Sequence, residues 1–387
     1  MSGRLVPALF WASIGSLVWV YLGYPLVALV YGRLRAVRVR RAPAAAASVT
    51  VGLAVHNAAD QIEARLGDIL AQQVDGELEV IVASDGSTDE TDQIVERMSR
   101  GEPRIRLLRL ARVGQSAAQA AVFERAQGEL VVLTDAETRF APGCVAALVA
   151  PFADERVGCT TGRLDWRHEH DTDTAHHEGL YWRYEQAVRA WESRAGWLSA
   201  ATGALMAVRR SIYRPAPAHA SLDQMLPLYA RQRGWLVLSV PAARATDRGP
   251  STMSEQFHSR VRIATQGIEA NLRMAVHIAP WQRPGTALAI WSHKLLRWAT
   301  PFFAGTAGLT AVQLTLRGRQ GYVVPAALIV LLLALALVGY VAQHLGRPLR
   351  AFSFPVTVLV VNAAFAVGWL NVLLRRRIGS WEPARRA

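Results

Sequence analysis

The stretch 128–142, Gly-Glu-Leu-Val-Val-Leu-Thr-Asp-Ala-Glu-Thr-Arg-Phe-Ala-Pro, places the tightest limit on the fold. Leu130, Val131, Val132 and Leu133 form an unbroken apolar run, the pattern of a strand buried on both faces of a parallel sheet. The run stops at Asp135 and Glu137. Carboxylates at i and i+2, just past the C-terminal end of a buried strand, stand where open α/β sheets bind their ligands. Such a pair can hold a hard divalent cation, whose other positions stay open for water and phosphate oxygens. An isolated Asp-x-Glu is more often a solvated turn, so the reading depends on what lies upstream.

Upstream, residues 48–55 alternate apolar and small side chains into His56 and Asn57, the pattern of a strand and its exit. Ile62, Leu66, Ile69 and Leu70 recur at helical spacing, and 78–83 is a second apolar strand. Strand, helix, strand in this rhythm predicts a parallel α/β unit. The second strand leaves through Ser84-Asp85-Gly86-Ser87-Thr88-Asp89, with Ser87 or Thr88 as candidate caps of the next helix. A third strand is expected over 104–110 and a helix over 116–126. No Gly-x-Gly-x-x-Gly follows the first strand, which argues against a dinucleotide oxidoreductase.

The ends of the chain are apolar in a different way. Residues 5–31 carry no charge and exceed the roughly 20 residues that span a bilayer. Arg33, Arg35, Arg38, Arg40 and Arg41 follow at once, and flanking positive charge normally stays cytoplasmic. No small-residue cleavage site is present, so 1–32 reads as an anchor with 33–47 as a basic linker. Three further apolar segments, 299–316, 322–342 and 352–374, close the chain before a basic tail, 375–387. If all three crossed, Arg375, Arg376 and Arg377 would lie outside, so 299–316 is expected to be interfacial or re-entrant. The formal net charge of +13 then fits a membrane surface; no nucleic-acid recognition motif accompanies it. Cys144 and Cys159 form no metal-spaced cluster and read as packing residues.

The order strand then His56-Asn57, strand then Ser84-Asp85-Gly86-Ser87-Thr88-Asp89, then Gly128 through Glu137, resembles the GT-A domain of family 2 glycosyltransferases, in the membrane-bound cellulose-synthase-like branch. The resemblance extends through Gly179-Leu180-Tyr181-Trp182-Arg183-Tyr184-Glu185, Ala201-Thr202-Gly203-Ala204-Leu205 and Leu222-Asp223-Gln224. It implies an α/β GT-A (Rossmann-like) catalytic domain over 48–252, with amphipathic interfacial helices over 253–298 and flanking transmembrane helices. It also implies a nucleotide-sugar donor, a UDP-sugar by expectation, and a glycan or lipid-linked acceptor at the cytoplasmic face of the inner membrane.

Residue by residue, the resemblance puts His56, Asn57, Asp85, Gln115 and Asp135 on the donor, with Asp85 at the nucleoside. Asp135 and Glu137 match the metal motif, for Mg²⁺ or Mn²⁺, and Asp223 matches the acceptor-activating base. Thr202, Gly203 and Arg260 fall on the acceptor side. One base suffices for an inverting transfer, and no second nucleophile is identified. The pattern also departs from the family: Ala58 stands where Glu is usual, Gln115 where Gly-Lys is usual, and Ala120 where Asn is usual. The Gln-x-x-Arg-Trp motif survives only as a remnant in Phe257-His258-Ser259-Arg260-Val261. Single transfer is therefore expected ahead of processive synthesis, and a catalytically impaired scaffold is the rival.

Three further readings complete the pass. The His-rich run 167–177 reads as a solvated acceptor-side loop ahead of a zinc site. Tyr181, Trp182, Tyr184 and Trp191 read as core or interface anchors ahead of sugar platforms. Residues 255–279, with Phe257, Val261, Ile268, Leu272 and Val276 on one side, read as a helix lying on the membrane, with Trp281, Trp291 and Trp298 at headgroup level.

Overall fold

The computed structural model describes residues 2–40, 47–167, 173–215, 220–249, 252–275, 277–278, 280–345 and 352–376. Eight strands form one mixed sheet: β1 Val49–Val55, β2 Leu78–Asp85, β3 Ile105–Leu110, β4 Leu130–Thr134, β5 Arg139–Phe140, β6 Val157–Arg167, β7 Met206–Arg209 and β8 Leu236–Arg248. Their order across the sheet is β3-β2-β1-β4-β7-β6-β8-β5. β1 pairs in parallel with β2 on one side and β4 on the other, so the strand order reverses between β1 and β4. That reversal opens a crevice at the C-terminal strand ends, the binding position of open α/β sheets.

Every residue of β1 and β4 is buried, as their apolar runs require. The pleat sends alternate side chains to opposite faces. Val80 and Val82 pack with Ile62 and Leu66 on one side, while Ile81 and Ala83 pack with Ala118, Val122 and Phe123 on the other. Gly52 lies under that second helix, Gln115–Arg125; a Cβ there would stand 2.4 Å from Val122 Cγ1, so only glycine admits so close an approach.

The half of the sheet built by β6, β7 and β8 carries no comparable sequence signal. β7 runs antiparallel to both β4 and β6, and β6 and β8 pair over most of their length across two register shifts. Cys144 and Cys159 are buried free thiols. Side chains of the His-rich run 167–177 lie outside the described residues.

Among the described residues, three helices are long and apolar enough to cross a membrane: Arg4–Leu34, Gln320–Ala342 and Ser353–Leu373. The first differs from a simple tether, because its C-terminal half is seated on the sheet domain. Tyr24 is fully buried and bonds Glu192 on the helix Asp173–Ala195, and a Cβ on Gly32 would meet Trp191 O at 2.8 Å.

The helix Thr300–Leu316 has 17 residues, a length of about 25 Å against a hydrocarbon core of about 30 Å. It runs antiparallel along the first half of Arg4–Leu34. Ala307, Ala311 and Leu314 pack on Phe10 at one end, and Trp19 Nε1 donates to Ser292 Oγ at 3.0 Å toward the other. The segment 299–316, expected to be interfacial or re-entrant, is not among the helices long and apolar enough to cross a membrane, and it packs along the N-terminal helix.

The helix Met253–Ala275 also departs from expectation. It is clasped between the sheet domain and Ser353–Leu373: Met274 packs with the sheet-side core, while Ile268 and Leu272 pack with Phe365 and Val361. A Cβ on Gly368 would stand 2.9 Å from Ala264 Cβ. Trp298 is buried against Gly267, so it is a packing residue and not a headgroup anchor, whereas Trp281 and Trp291 are exposed.

Candidate active site

The parallel register of β2, β1 and β4 lines up the residues that follow their ends. Ser84 pairs with Val55 and Thr134 with Leu53, so Asp85 emerges level with His56, and Asp135 level with Ala54, two positions earlier on β1. His56 Nδ1 lies 2.9 Å from Asp85 O. Asn57 holds a left-handed φ of 50°, tolerable for Asn because its short side chain bonds locally. Its Oδ1 accepts from Thr88 N at 2.8 Å, and its own N–H donates to Ser87 Oγ at 3.1 Å. Ser87 and Thr88 are thereby engaged with Asn57 and do not cap the following helix, Thr91–Gly101, as the sequence led us to expect. Asp89 does that work, accepting from Thr91 N at 3.0 Å and from Ala59 N at 3.1 Å.

Asp85 is buried, and its carboxylate is turned toward its own chain. It accepts from Val113 N at 2.6 Å and Gly114 N at 3.0 Å, and pairs with Arg112 at 3.3 Å. Those bonds fix the loop leading into the helix Gln115–Arg125, so Asp85 shapes the crevice wall. Gln115, which begins that helix, donates from Nε2 to Asp135 Oδ1 at 3.3 Å.

Asp135 sits at the centre of an acidic group. Burial, then the charges of Asp247, Asp223 and Glu137, push its carboxyl up to about 7, with Arg262 opposing. Glu137 is also raised, by burial and then Asp247, against Arg248 and Arg139. Neither Asp247 nor Arg262 was marked by the sequence. Asp247 ends the long strand β8, 109 positions from its partner Thr138, whose Oγ1 donates to it at 3.0 Å. Arg262 brings a positive charge toward Asp135 from the helix Met253–Ala275.

A second buried arginine holds the strand end in place. Arg65 is fully buried; its Nε donates to Asp135 O at 3.2 Å, its Nη2 to Thr134 Oγ1 at 2.6 Å, and its Nη1 pairs with Asp68. Its guanidinium lies 4.1 Å from the Phe140 ring centroid. Burial pulls it down to about 10 while Asp68 pushes back, so it stays a cation at neutral pH. Breaking a buried pair strands the remaining partner, at a cost of about 3 kcal/mol. Arg65→Met is therefore expected to lower the apparent Tm by roughly 6–10 °C, measurable by thermal unfolding of the purified chain.

The residues expected on the acceptor side lie close to one another. Gly203 lies against Asp223: a Cβ on the glycine would stand 3.0 Å from both Asp223 Cβ and Oδ2. Thr202 N donates to Thr161 Oγ1 at 3.0 Å, and Arg189 donates to Thr202 Oγ1 at 2.8 Å. Asp223 is in the first turn of the helix Leu222–Gln232, behind the cap position Ser221, whose hydroxyl donates to it. The carboxylate therefore does not serve as the N-cap. Arg260, Asp223 and Gly203 line one cavity of about 200 Å³ together with Trp182, which thus faces open space as well as the core. Gly203→Ala would displace the Asp223 carboxylate by a few tenths of an ångström, and a fall in turnover of about tenfold is expected at unchanged donor affinity, read by steady-state kinetics.

Residues 50–215 match the sequence profile described as glycosyl transferase family 2. Over those residues the chain is similar to that family. An N-acetylglucosaminyltransferase of Mesorhizobium japonicum is 28% identical over 214 residues, covering 51% of this chain and 50% of that protein. One from Neorhizobium galegae is 26% identical over 268 residues, covering 62% of each. The chain thus spans about half to three-fifths of the length of these curated relatives. Among solved structures, a mannosyltransferase from Pyrobaculum calidifontis in complex with GDP-Man and Mn²⁺ superposes with a TM-score of 0.70 at 22% identity, covering 95% of this chain and 99% of that one. That likeness extends the shared fold beyond the sheet domain to the apolar helices.

Proposed function

We propose that this chain is a membrane-bound, inverting family 2 glycosyltransferase that moves one sugar from a nucleotide-sugar, a UDP-sugar by preference, to a glycan or lipid-linked acceptor at the cytoplasmic face of the inner membrane. The observation that carries the reading is the placement of carboxylates. Asp135, Glu137 and Asp247 gather at the strand ends, and Asp223 faces them from the acceptor side against a glycine that leaves it room.

The acidic group fits a divalent cation on chemical grounds: oxygen ligands are what Mg²⁺ and Mn²⁺ take, and a cation would relieve the repulsion that raises Asp135. Among the described residues no three His, Cys, Asp or Glu side chains converge closely enough to hold a metal alone, in keeping with a site completed by the donor diphosphate. Asp135 and Glu137 would hold the cation, which supplies charge neutralisation for the leaving diphosphate.

The remaining work falls to the chain itself. His56, Asn57, the Asp85-braced loop and Gln115 form the donor wall, and Arg262 adds positive charge on the diphosphate side. Asp223 takes the proton of the attacking hydroxyl, a contribution of roughly 10²–10⁴ in rate. Thr202, Gly203 and Arg260 border the acceptor. With a single base and no second nucleophile, attack occurs once and inverts the anomeric centre. Incubating the detergent-solubilised chain with a panel of UDP- and GDP-sugars and reading product stereochemistry by NMR tests this: an inverted product is expected, and retained configuration would refute the single-base mechanism.

A further inference from the structure

The N-terminal helix reaches the acceptor side of the site through an unbroken run of polar contacts. Tyr24, in the half of Arg4–Leu34 that sits on the sheet domain, donates from its hydroxyl to Glu192 Oε1. His293 Nδ1 lies 2.8 Å from that same oxygen, and its Nε2 lies 3.1 Å from Glu185 Oε2. Glu185 Oε1 accepts from Arg189 Nε at 2.9 Å, and Arg189 Nη1 donates to Thr202 Oγ1 at 2.8 Å. Thr202 opens the turn 202–205, which Leu205 N closes by donating to Thr202 O at 3.0 Å. Its neighbour Gly203 is the residue that rests on Asp223. A hydroxyl on an apolar membrane-type helix is thus linked, contact by contact, to the turn beside the candidate base.

Stability is a weak reason for such a network. Tyr24, Glu185, Glu192 and His293 are all buried, and well-packed apolar residues in place of a buried ionic group are often neutral or stabilising. The Tyr24 ring already packs with Val188 and Ala289, so apolar contact alone would seat the helix. What directed bonds add is a single orientation, because a buried polar network whose groups are partnered rigidifies its surroundings. Burial works to raise Glu185, but Lys294, Arg297 and His293 hold it well below its usual range, so it stays an ionised acceptor for Arg189. Arg189 is fixed on a further side by the Trp182 ring, whose centroid lies 5.4 Å from the guanidinium carbon.

The backbone supplies a second observation. Both segments that meet here widen into a π-turn at the contact, Trp19–Gly23 immediately before Tyr24 and Ile290–Leu295 around His293. Trp19 Nε1 of one turn donates to Ser292 Oγ of the other at 3.0 Å, and Tyr184, next to Glu185, donates to Tyr21 O at 3.2 Å. Single π-turns are rare in helices and concentrate at functional sites. Here the wider winding lets the consecutive Ser292 and His293 reach Trp19 and Glu192.

We propose that Tyr24 is a positioning residue: through Glu192, His293, Glu185 and Arg189 it fixes the turn 202–205, and with it the approach of Gly203 to Asp223. The coupling rests on the contacts alone, and its consequence for sugar transfer rests on the glycosyltransferase reading. The helix that anchors the chain is thereby part of the acceptor side of the site.

Amide hydrogen exchange in the full chain, held in detergent micelles, separates the coupling from the activity. Tyr24→Phe keeps the ring and removes the hydroxyl. It is expected to speed exchange over 200–206 by roughly threefold or more, where Thr202 N donates to Thr161 Oγ1, and to leave β1 and β4 as in the parent chain. Transfer at saturating donor is expected to fall about fivefold at unchanged donor affinity. His293→Gln cuts the same run one link further on and serves if the tyrosine variant fails to fold. The double variant is expected to exchange no faster than the faster single variant, since both break one path. A merely structural hydroxyl would lower the unfolding temperature and leave exchange over 200–206 and transfer at parental values. Unchanged exchange over 200–206, effects that multiply in the double variant, or faster exchange with parental transfer overturns the proposal. A parent chain that transfers no sugar, while exchange over 200–206 still answers to Tyr24→Phe, would instead strike the glycosyltransferase reading.

Discussion

Asp223→Asn is expected to leave donor affinity and thermal stability near those of the parent chain while transfer to acceptor falls by roughly 10²–10⁴. Two local uses of the residue predict different losses. A helix cap exchanged for Asn costs little, because Asn caps about as well as Asp. The structure has already removed the cap from consideration, since Ser221 occupies that position and Asp223 lies one turn face inside, against Gly203. The Asn variant keeps the shape and loses the proton acceptor. Parallel measurement of donor binding by calorimetry and of transfer by product formation separates the two effects, and unchanged transfer would leave the site without a base.

Asp135→Ala is expected to abolish nucleotide release, because it removes both the proposed metal ligand and the partner of Gln115. The same carboxyl predicts a pH dependence. Its pKa in the fold, about 7, lies above the 3.8 of an unperturbed Asp, so the protonated form is the one the folded state favours. The stability it contributes is complete below about pH 3.8 and is lost as pH rises through about 7. Metal-free protein should therefore lose stability over that interval as far as this group is concerned, and Asp135→Asn should flatten the dependence. Mn²⁺ with nucleoside diphosphate should release a proton on binding near pH 6 and stabilise more strongly at pH 8. Thermal unfolding with and without Mn²⁺ and UDP across this range reads both effects.

The parallel half of the sheet was legible because its strands are buried on both faces and so read as unbroken apolar runs; the elements begin and end within a few residues of expectation at β1, β2, β3 and β4. The strands β6, β7 and β8 were not, since much of β8 is alanine and arginine and owes its place to pairing with a distant strand. The same division runs through the site. Asp85, Asp135, Glu137 and Asp223 follow recognisable local patterns. Asp247 and Arg65 act through partners 109 and 70 positions away, and such distances leave no local periodicity to find. Arg262 stands next to the expected apolar-face residue Val261 and was passed over because one face of its helix was assigned to the membrane. That helix is instead clasped on two sides, which frees its polar residues to face the crevice.

The central claim is a cation-requiring donor site and a single base that meet across one crevice, and nucleotide release by the full chain tests it most directly. With its nucleotide-sugar and Mn²⁺, the parent chain is expected to release nucleotide and glycosylate acceptor, and excess chelator to stop both. Asp223→Asn is expected to bind donor normally and transfer at roughly 1% or less of the parent rate. Full activity in chelator, or parental transfer by Asp223→Asn, would contradict the account.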